Sequence, residues 1–367
     1  MNDSIIFSPY RLGNFELKNR IVMAPMTRSR AIENIPADIA AVYYSQRAGA
    51  GLIITEGTSP SPNGLGYARI PGLFNAQQVD GWKKVTDAVH AAGGIIFVQL
   101  MHTGRISHTL NLPKGASVIA PSAVKPAGTM FTDASGLQEF SEPREMTPEE
   151  IIQAQEEYVS AAKMAIDAGF DGVELHGANG YLLEQFLSPV SNQRNDMYGG
   201  NTVNRCRFVL EIIEKIVYQI GKEHLGIRLS PYGVASDMPH YPEIDDEYAY
   251  LAEKLNMLQI SYIHLVDHSS MGAPEVPVNI KRMFRYKFKG TLILSGGYNQ
   301  ERAEQDLKAK NADLIAFGKS FINNPDLVER FRNNWPLSQN LDTSTFYTPG
   351  VKGYSDYEKF RVEKINV

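Results

Sequence analysis

Cysteine is almost absent: Cys206 is the only one in 367 residues. One thiol excludes an intrachain disulfide, a cysteine-held iron–sulfur cluster and a zinc finger. Cys206 itself reads as a small apolar filler on a helix. Long apolar runs are missing too, and none approaches the ~20 residues that span a bilayer. The chain does not open on a basic stretch followed by an apolar one, the mark of a secretory signal. A soluble, cytoplasmic protein with no membrane partner is the expectation. Charge is not in large excess: 36 Lys and Arg against 41 Asp and Glu leave −5. That balance argues against nucleic acid, whose phosphates attract basic surfaces. A break in composition is also lacking, so a single domain over 1–367 is expected.

What the chain does contain is alternation. Short apolar strands and amphipathic helices follow one another for most of its length. Strands are expected at 21–23, 51–56, 95–101, 172–175, 225–229, 260–265, 291–294 and 313–316. Helices are expected at 38–47, 77–92, 147–168, 202–220, 245–257, 278–286, 300–309 and 326–333. Val79, Trp82, Val85 and Val89 recur at the three- and four-residue steps of one helical face. Thr147 and Glu150 form a capping box around Pro148 at the first helical position. The run 95–101 is apolar almost throughout, as in a parallel strand buried on both faces. Repeated β/α order implies a parallel sheet, and eight units favour a closed (β/α)8 TIM barrel. The remaining length lies in an N-terminal hairpin segment, a loop at about 102–146 after the third strand, and a tail at about 334–367. The long loop is rich in Gly, Pro, Ser and Thr and is expected to hold a short hairpin over the barrel mouth as a lid.

Active sites of this fold lie at the C-terminal ends of the strands. Those ends carry Ala24-Pro25-Met26-Thr27, Glu56-Gly57, Gln99, His176 to Tyr181, Arg228, Ser295-Gly296-Gly297 and Phe317-Gly318-Lys319. Loops after strands seven and eight commonly bind phosphate in barrels. Gly296, Gly297 and Gly318 would let backbone N–H groups approach an anion, and Lys319 adds a charge. A short helix at 320–323 would add its dipole. Read alone, either glycine loop is only a tight turn; both together, in these two places, point to a phosphate.

The segments Ala24-Pro-Met-Thr-Arg28, Val98-Gln-Leu100, His176-Gly-Ala-Asn-Gly-Tyr181 continuing to Phe186, Arg194-x-Asp-x-Tyr-Gly-Gly200, Asn204-Arg205, Ile227-Arg-Leu-Ser-Pro231 and Asn324-Pro-Asp-Leu-Val328 carry a resemblance. In that order and spacing, from about Phe7 to Tyr357, the chain resembles the Old Yellow Enzyme family of FMN-dependent ene-reductases. The resemblance implies one non-covalent FMN, NAD(P)H as electron donor, and an enone, a nitro compound or a nitrate ester as acceptor in a ping-pong cycle. It implies that Pro25, Met26, Thr27 and Gly57 line the isoalloxazine, that Gln99 meets the pyrimidine edge, and that Arg228 stabilises negative charge near flavin N1. His176 and Asn179 would donate to the substrate oxygen on which charge develops. Tyr181 would protonate the α-carbon. Tyr67, Phe74, Met101 and Tyr347 would line the substrate space. Each has a plainer reading: Thr27 as a turn residue, Gln99 as a polar strand end, Arg228 as half of an ion pair, Tyr181 as an aromatic wall. His102 and Arg105 read equally as loop-bonding residues.

Two positions depart from the family pattern. Lys319 stands where Arg is frequent, keeping the charge but not the bidentate fork. Met101 stands where an aromatic residue is frequent, which bears on substrate preference. A metal site lacks a third ligand at suitable spacing. A phosphate-binding isomerase or aldolase is the alternative within the same fold, with Glu56 as its best carboxylate, and a non-catalytic flavin-binding barrel is a third. The chain reads as a monomer or a homodimer.

Overall fold

A computed structural model describes residues 4–361. Eight parallel strands close into a barrel: β1 (Ile21–Met23), β2 (Leu52–Thr58), β3 (Ile96–Leu100), β4 (Gly172–Gly177), β5 (Leu225–Leu229), β6 (Tyr262–Val266), β7 (Thr291–Ser295) and β8 (Leu314–Phe317). β8 pairs back onto β1 through Ile315↔Ile21 and Phe317↔Met23. The helices that return the chain are α1 (Asp38–Gln46), α2 (Ala76–Ala91), α3 (Pro148–Asp167), α4 (Thr202–Ile220), α5 (Ile244–Leu258), α6 (Val278–Lys287), α7 (Gln300–Lys308) and α8 (Leu327–Asn333). Short helices at Leu182–Leu187 and Lys319–Asn323 lie in the connections that follow β4 and β8. No described helix is long and apolar enough to cross a membrane.

Local chemistry sets where the helices begin. Thr147 accepts from the Glu150 amide at 3.2 Å while the Glu150 carboxylate accepts from the Thr147 amide at 2.8 Å, closing the capping box. Asn75, Asn201 and Asn299 cap α2, α4 and α7 through their side chains. Each such cap contributes about 1 kcal/mol by satisfying an amide that has no helical partner.

Strand periodicity of two divides the residues between two cores. Ile53, Val98, Leu175, Ile227, Ile263 and Ile315 point outward and pack beneath the helices with Trp82, Tyr158 and Phe208. Leu52, Ile54, Phe97, Tyr262, Ile293 and Leu314 fill the barrel interior. The N-terminal hairpin, Tyr10–Leu12 against Phe15–Leu17, inserts Leu12 and Leu17 into that inner cluster and stoppers the bottom of the barrel. Room for the interior aromatics comes from glycine on a neighbouring strand. A Cβ on Gly226 would lie 2.3 Å from the Tyr262 ring, and one on Gly172 would lie 2.4 Å from the Phe97 ring.

Toward the C-terminal end the interior changes character. Gln99, Glu174, His176, Arg228, His264 and Ser295 succeed the apolar rows, all buried. β4 runs two residues beyond the expected 172–175, because His176 and Gly177 continue pairing with Arg228 and Leu229 of β5. His176 is therefore a strand residue with a fixed inward direction and does not lie past the strand end. The loop after β3 carries the expected hairpin, Thr129–Thr132 against Gly136–Glu139. Its Met130 packs with Ile106 and Phe140 against Tyr67 and Tyr181, which sets the lid over the mouth.

Candidate active site

A cavity of about 530 Å³ opens at the C-terminal ends of the strands. Residues 24–28 after β1, Arg228 from β5, Val266 to His268, Ser270 and Met271 at the end of β6, the glycines after β7 and β8, and Phe346 and Tyr347 of the tail line it. A cavity of about 570 Å³ lies outside the barrel between α6 and α7. That one gathers none of the expected site residues, and its Lys281 and Arg285 are paired with Asp267 and Asp313.

The two glycine loops converge on one wall. Gly296 has φ +116°, and a Cβ there would sit 1.9 Å from the Asp267 carbonyl, so no other residue fits. A Cβ on Gly318 would meet nothing closer than the Met26 sulfur at 3.6 Å, so this glycine leaves open space beside Met26. Lys319, in the short helix that follows, is exposed and makes no ion pair among the described residues.

Arg228 supplies the deepest charge. It is 8% exposed, and its side chain donates to no described residue; the buried Nε is unpartnered. Burial lowers its pKa, with the nearby Glu174 carboxylate opposing. A buried guanidinium without partners is costly, and this one borders the cavity. Beneath it, Gln99 Nε2 donates to Glu174 Oε1 at 2.7 Å, and His264 Nδ1 lies 2.9 Å from Glu174 Oε2. His264 Nε2 is 3.0 Å from the Ser295 hydroxyl, which faces the cavity.

His176 sits opposite Arg228 in the β4–β5 register. Burial, then the Arg228 charge, holds its pKa well below 6.5, so the ring is neutral at physiological pH. Its Nδ1 is buried without a partner. Asn179 adopts φ +61°, the left-handed region that Asn tolerates better than most side chains. Its amide donates to Ser230 Oγ at 2.9 Å, and its buried Oδ1 is unpartnered. Glu184 fixes this turn by accepting from the Gly180 amide at 2.6 Å and from Ser230 Oγ at 2.7 Å. Burial raises the Glu184 pKa to about 7. The Tyr181 ring stands edge-on to His176, with centroids 4.8 Å apart. Burial pushes its phenol well above 10, so it keeps its proton.

The structure divides the expected residues into two adjoining groups. Pro25, Met26, Thr27, Asn179, Arg228, Gly296, Gly297, Gly318, Lys319 and Tyr347 border the cavity. Gly57, Gln99, Met101, His176, Tyr67 and Tyr181 do not border it and lie deeper or under the lid. A Cβ on Gly57 would be 2.5 Å from the Met101 sulfur, so Met101 lies flat on that glycine. Met101 clusters with Leu65, Ile70, Tyr67, Phe74 and Tyr181. His102 and Arg105 bond locally: His102 Nδ1 accepts from the Gly104 amide, and Arg105 donates to the carbonyls of Val124 and Asp237. Glu56 accepts from the Arg28 amide at 2.9 Å and so braces residues 24–28; it does not face the cavity, and no carboxylate role in an aldol or isomerase reaction follows from it.

Sequence reasoning passed over several residues. Glu174 was legible, since it lies two positions before His176 on one strand and must share its inward face. Glu184, His264 and His268 had no such signal; His268 borders the cavity with an unpartnered buried Nδ1. Arg28, Arg30 and Arg47 clamp the tail by donating to the carbonyls of Gly353, Gly350, Thr345 and Tyr354, among others. That clamp is what keeps Phe346 and Tyr347 at the cavity edge. Of the tail expected at 334–367, residues 362–367 lie outside the described residues.

Residues 5–338 match the NADH:flavin oxidoreductase / NADH oxidase family. The chain belongs to that family. It is 42% identical to 12-oxophytodienoate reductase 7 of Oryza sativa subsp. japonica, covering 96% of this chain and 94% of the relative. It is 38% identical to 12-oxophytodienoate reductase 2 of Arabidopsis thaliana, covering 96% and 95%. The solved structure of morphinone reductase superposes with a TM-score of 0.94 at 41% identity, covering 98% of this chain and 97% of that one. Morphinone reductase has also been solved in complex with tetrahydroNAD, with a TM-score of 0.92 at 41% identity over 97% and 98% of the two chains. The Old Yellow Enzyme homologue of Zymomonas mobilis gives 0.92 at 38% identity over 97% and 99%.

Membership in a flavin family sets a test that these residues meet. FMN needs an anion cradle, a cation near the ring and polar partners for its pyrimidine edge. Gly296, Gly297 and Gly318 with Lys319, the unpartnered Arg228, and Gln99 supply chemically suitable groups. The family motifs also separate by task. Arg194 donates to Asp196 and to the carbonyls of Pro121 and Met146, tying the lid base to the loop after β4. Arg205 bonds Glu247 and the carbonyls of Leu187 and Gly200. These arginines are scaffold.

Proposed function

We propose that this enzyme uses FMN and NAD(P)H to reduce the carbon–carbon double bond of α,β-unsaturated carbonyl compounds and nitroalkenes. The observation that carries the reading is the company Arg228 keeps. A buried guanidinium without a partner among the described residues borders a cavity walled by Gly296, Gly297 and Gly318, beside a neutral His176 and an Asn179 that also have unpartnered atoms. Such groups are costly to bury until a ligand completes them.

FMN, when bound, supplies the hydride carrier between nicotinamide and acceptor. The chain's own residues do the rest. Gly296, Gly297 and Gly318 leave room for the phosphate, and Lys319 balances its charge. Arg228 favours negative charge held within the site. His176 and Asn179 donate to the acceptor's carbonyl or nitro oxygen, where charge builds as the β-carbon is reduced; two aimed donors lower that barrier by several kcal/mol in total, at ~2–4 kcal/mol each. Tyr181 holds a proton for the α-carbon, and Tyr67 holds Tyr181. Met101 and Tyr347 bound the space for the rest of the acceptor. The names of the relatives and the tetrahydroNAD complex support both halves of this chemistry.

The purified protein should be yellow and should release FMN, not FAD, on denaturation. Rapid mixing with NADH or NADPH should bleach it, and an enone should then restore the colour in a second, separable phase. Bleaching with no recovery on addition of any enone or nitroalkene would refute the acceptor class.

A further inference from the structure

Glu174 lies inside the barrel with no exposure, one strand from Gln99 and in register with it. Both of its oxygens are occupied. Oε1 accepts from Gln99 Nε2 at 2.7 Å, and Oε2 lies 2.9 Å from His264 Nδ1. A carboxylate has no proton to give, so each neighbour must turn a donor toward it. That requirement removes the ambiguity from both. The Gln99 amide cannot flip, because its oxygen would then face an oxygen. Its Nε2 is committed on one side, and Oε1 with the second N–H remain free. The neutral His264 must carry its proton on Nδ1, which leaves Nε2 as an acceptor. Nε2 then accepts from the Ser295 hydroxyl at 3.0 Å, a proton that the Leu265 carbonyl also meets at 3.2 Å.

A flavin pyrimidine edge offers an N–H between two carbonyl oxygens. It is met by an amide whose oxygen and N–H stand in one fixed order, and a freely flipping amide meets it only part of the time. We propose that Glu174 is a positioning residue for FMN, fixing the Gln99 amide in the one orientation that matches the flavin and holding the His264 proton on Nδ1. The inference rests on the reading of Gln99 as a flavin-binding residue. Glu174 touches no flavin atom; it acts through its neighbours.

The test uses FMN affinity of the apoprotein, read by quenching of flavin fluorescence, in a double-mutant cycle. Gln99→Ala should weaken FMN binding about 10-fold, the loss of a buried hydrogen-bonding pair. Glu174→Gln, which restores an ambiguous partner of equal size, should weaken it by a similar factor. In the Gln99→Ala background, Glu174→Gln should add less than about 2-fold, because residues acting through one contact are not additive. A second arm keeps the question open if Glu174→Gln alone does not fold. Gln99→Glu should weaken FMN about 100-fold or more by facing two carboxylates. Adding Glu174→Gln to Gln99→Glu should then recover at least about 10-fold of it, since a donor again faces an acceptor. Full additivity of Glu174→Gln with Gln99→Ala, or no recovery in the exchanged pair, overturns the role of Glu174 while leaving Gln99 in place. Unchanged affinity in Gln99→Ala overturns the reading on which it rests.

Discussion

The Tyr181 hydroxyl donates to the Tyr67 hydroxyl at 3.0 Å, and the two rings stand edge to face with centroids 6.1 Å apart. Tyr67 comes from the loop after β2 and Tyr181 from the loop after β4, so lid-side packing decides where the Tyr181 hydroxyl points. Met130, Ile106 and Phe140 press on both rings. Tyr67 thus fixes the phenol that the proposed chemistry needs, and its own hydroxyl can turn to donate to the Tyr181 oxygen once that phenol has given up its proton.

Tyr181→Phe should separate the two half-reactions. Flavin reduction by the nicotinamide needs no acid here and should stay within about 3-fold of the parent, whereas reoxidation by a weakly activated enone should slow ~10²–10⁴-fold. A nitroalkene should be hit less, because its product anion is stable enough to leave unprotonated. Tyr67→Phe should show the same pattern at a smaller size. Stopped-flow traces of each half-reaction check this. Equal slowing of both would mean that Tyr181 only shapes the pocket.

His176→Ala and Asn179→Ala should each weaken binding of phenols, whose phenolate oxygen mimics the charged substrate oxygen, by ~1–3 kcal/mol. The His176 pKa is held well below 6.5 by burial and by Arg228. Its neutral form is therefore constant across neutral and alkaline pH, and His176 should add no pH dependence to phenol binding from about pH 7 upward. Titration of the charge-transfer absorbance at several pH values measures both effects; undiminished phenol affinity in the two variants would falsify the oxyanion role.

Arg228→Met should uncouple stability from cofactor binding. Removing a buried, unpartnered charge should leave the apoprotein as stable as the parent or raise its unfolding midpoint, by ~1 kcal/mol or more. FMN affinity should fall at least about 10-fold, as expected for a lost charged partner. Denaturant unfolding of both apoproteins and flavin titration decide it. A destabilised variant with normal FMN affinity would assign Arg228 to the scaffold.

Glu184 should give the apoprotein a stability that falls as pH rises. Its carboxyl is raised to about 7 by burial, while in the unfolded chain it titrates near ~4.3. Between those values the folded protein keeps a proton that the unfolded chain has lost. The stabilisation is thus complete below about pH 4, declines through the window up to about 7, and is flat above it, a loss of up to about 4 kcal/mol. Glu184→Gln should flatten that slope between pH 5 and 7. Urea midpoints at four pH values test it, and an unchanged slope in the variant would assign the pH dependence to other carboxyls.

The alternation of apolar runs with 3.6-periodic helices determined the closed barrel by itself, because each pattern can bury its apolar face in only one kind of element. Glycines and Lys319 at two strand ends, and Arg228 at another, marked the cavity wall for the same reason: a polar or flexible residue directly after a buried strand is costly unless it meets something. The family motifs mixed site with scaffold, and the sequence could not sort them. Arg194, Arg205 and Arg228 look alike in a string of letters; only the folded chain gives the first two their carbonyl and carboxylate partners and leaves the third without any among the described residues. The same holds for Glu174 and Glu56. One is tied to Gln99 from a strand 75 positions away, the other to a backbone amide 28 positions away. Contacts of that separation depend on which strands become neighbours when the barrel closes and on the register at which they pair. A shift of one residue would turn Glu174 outward and leave the Gln99 amide free to flip.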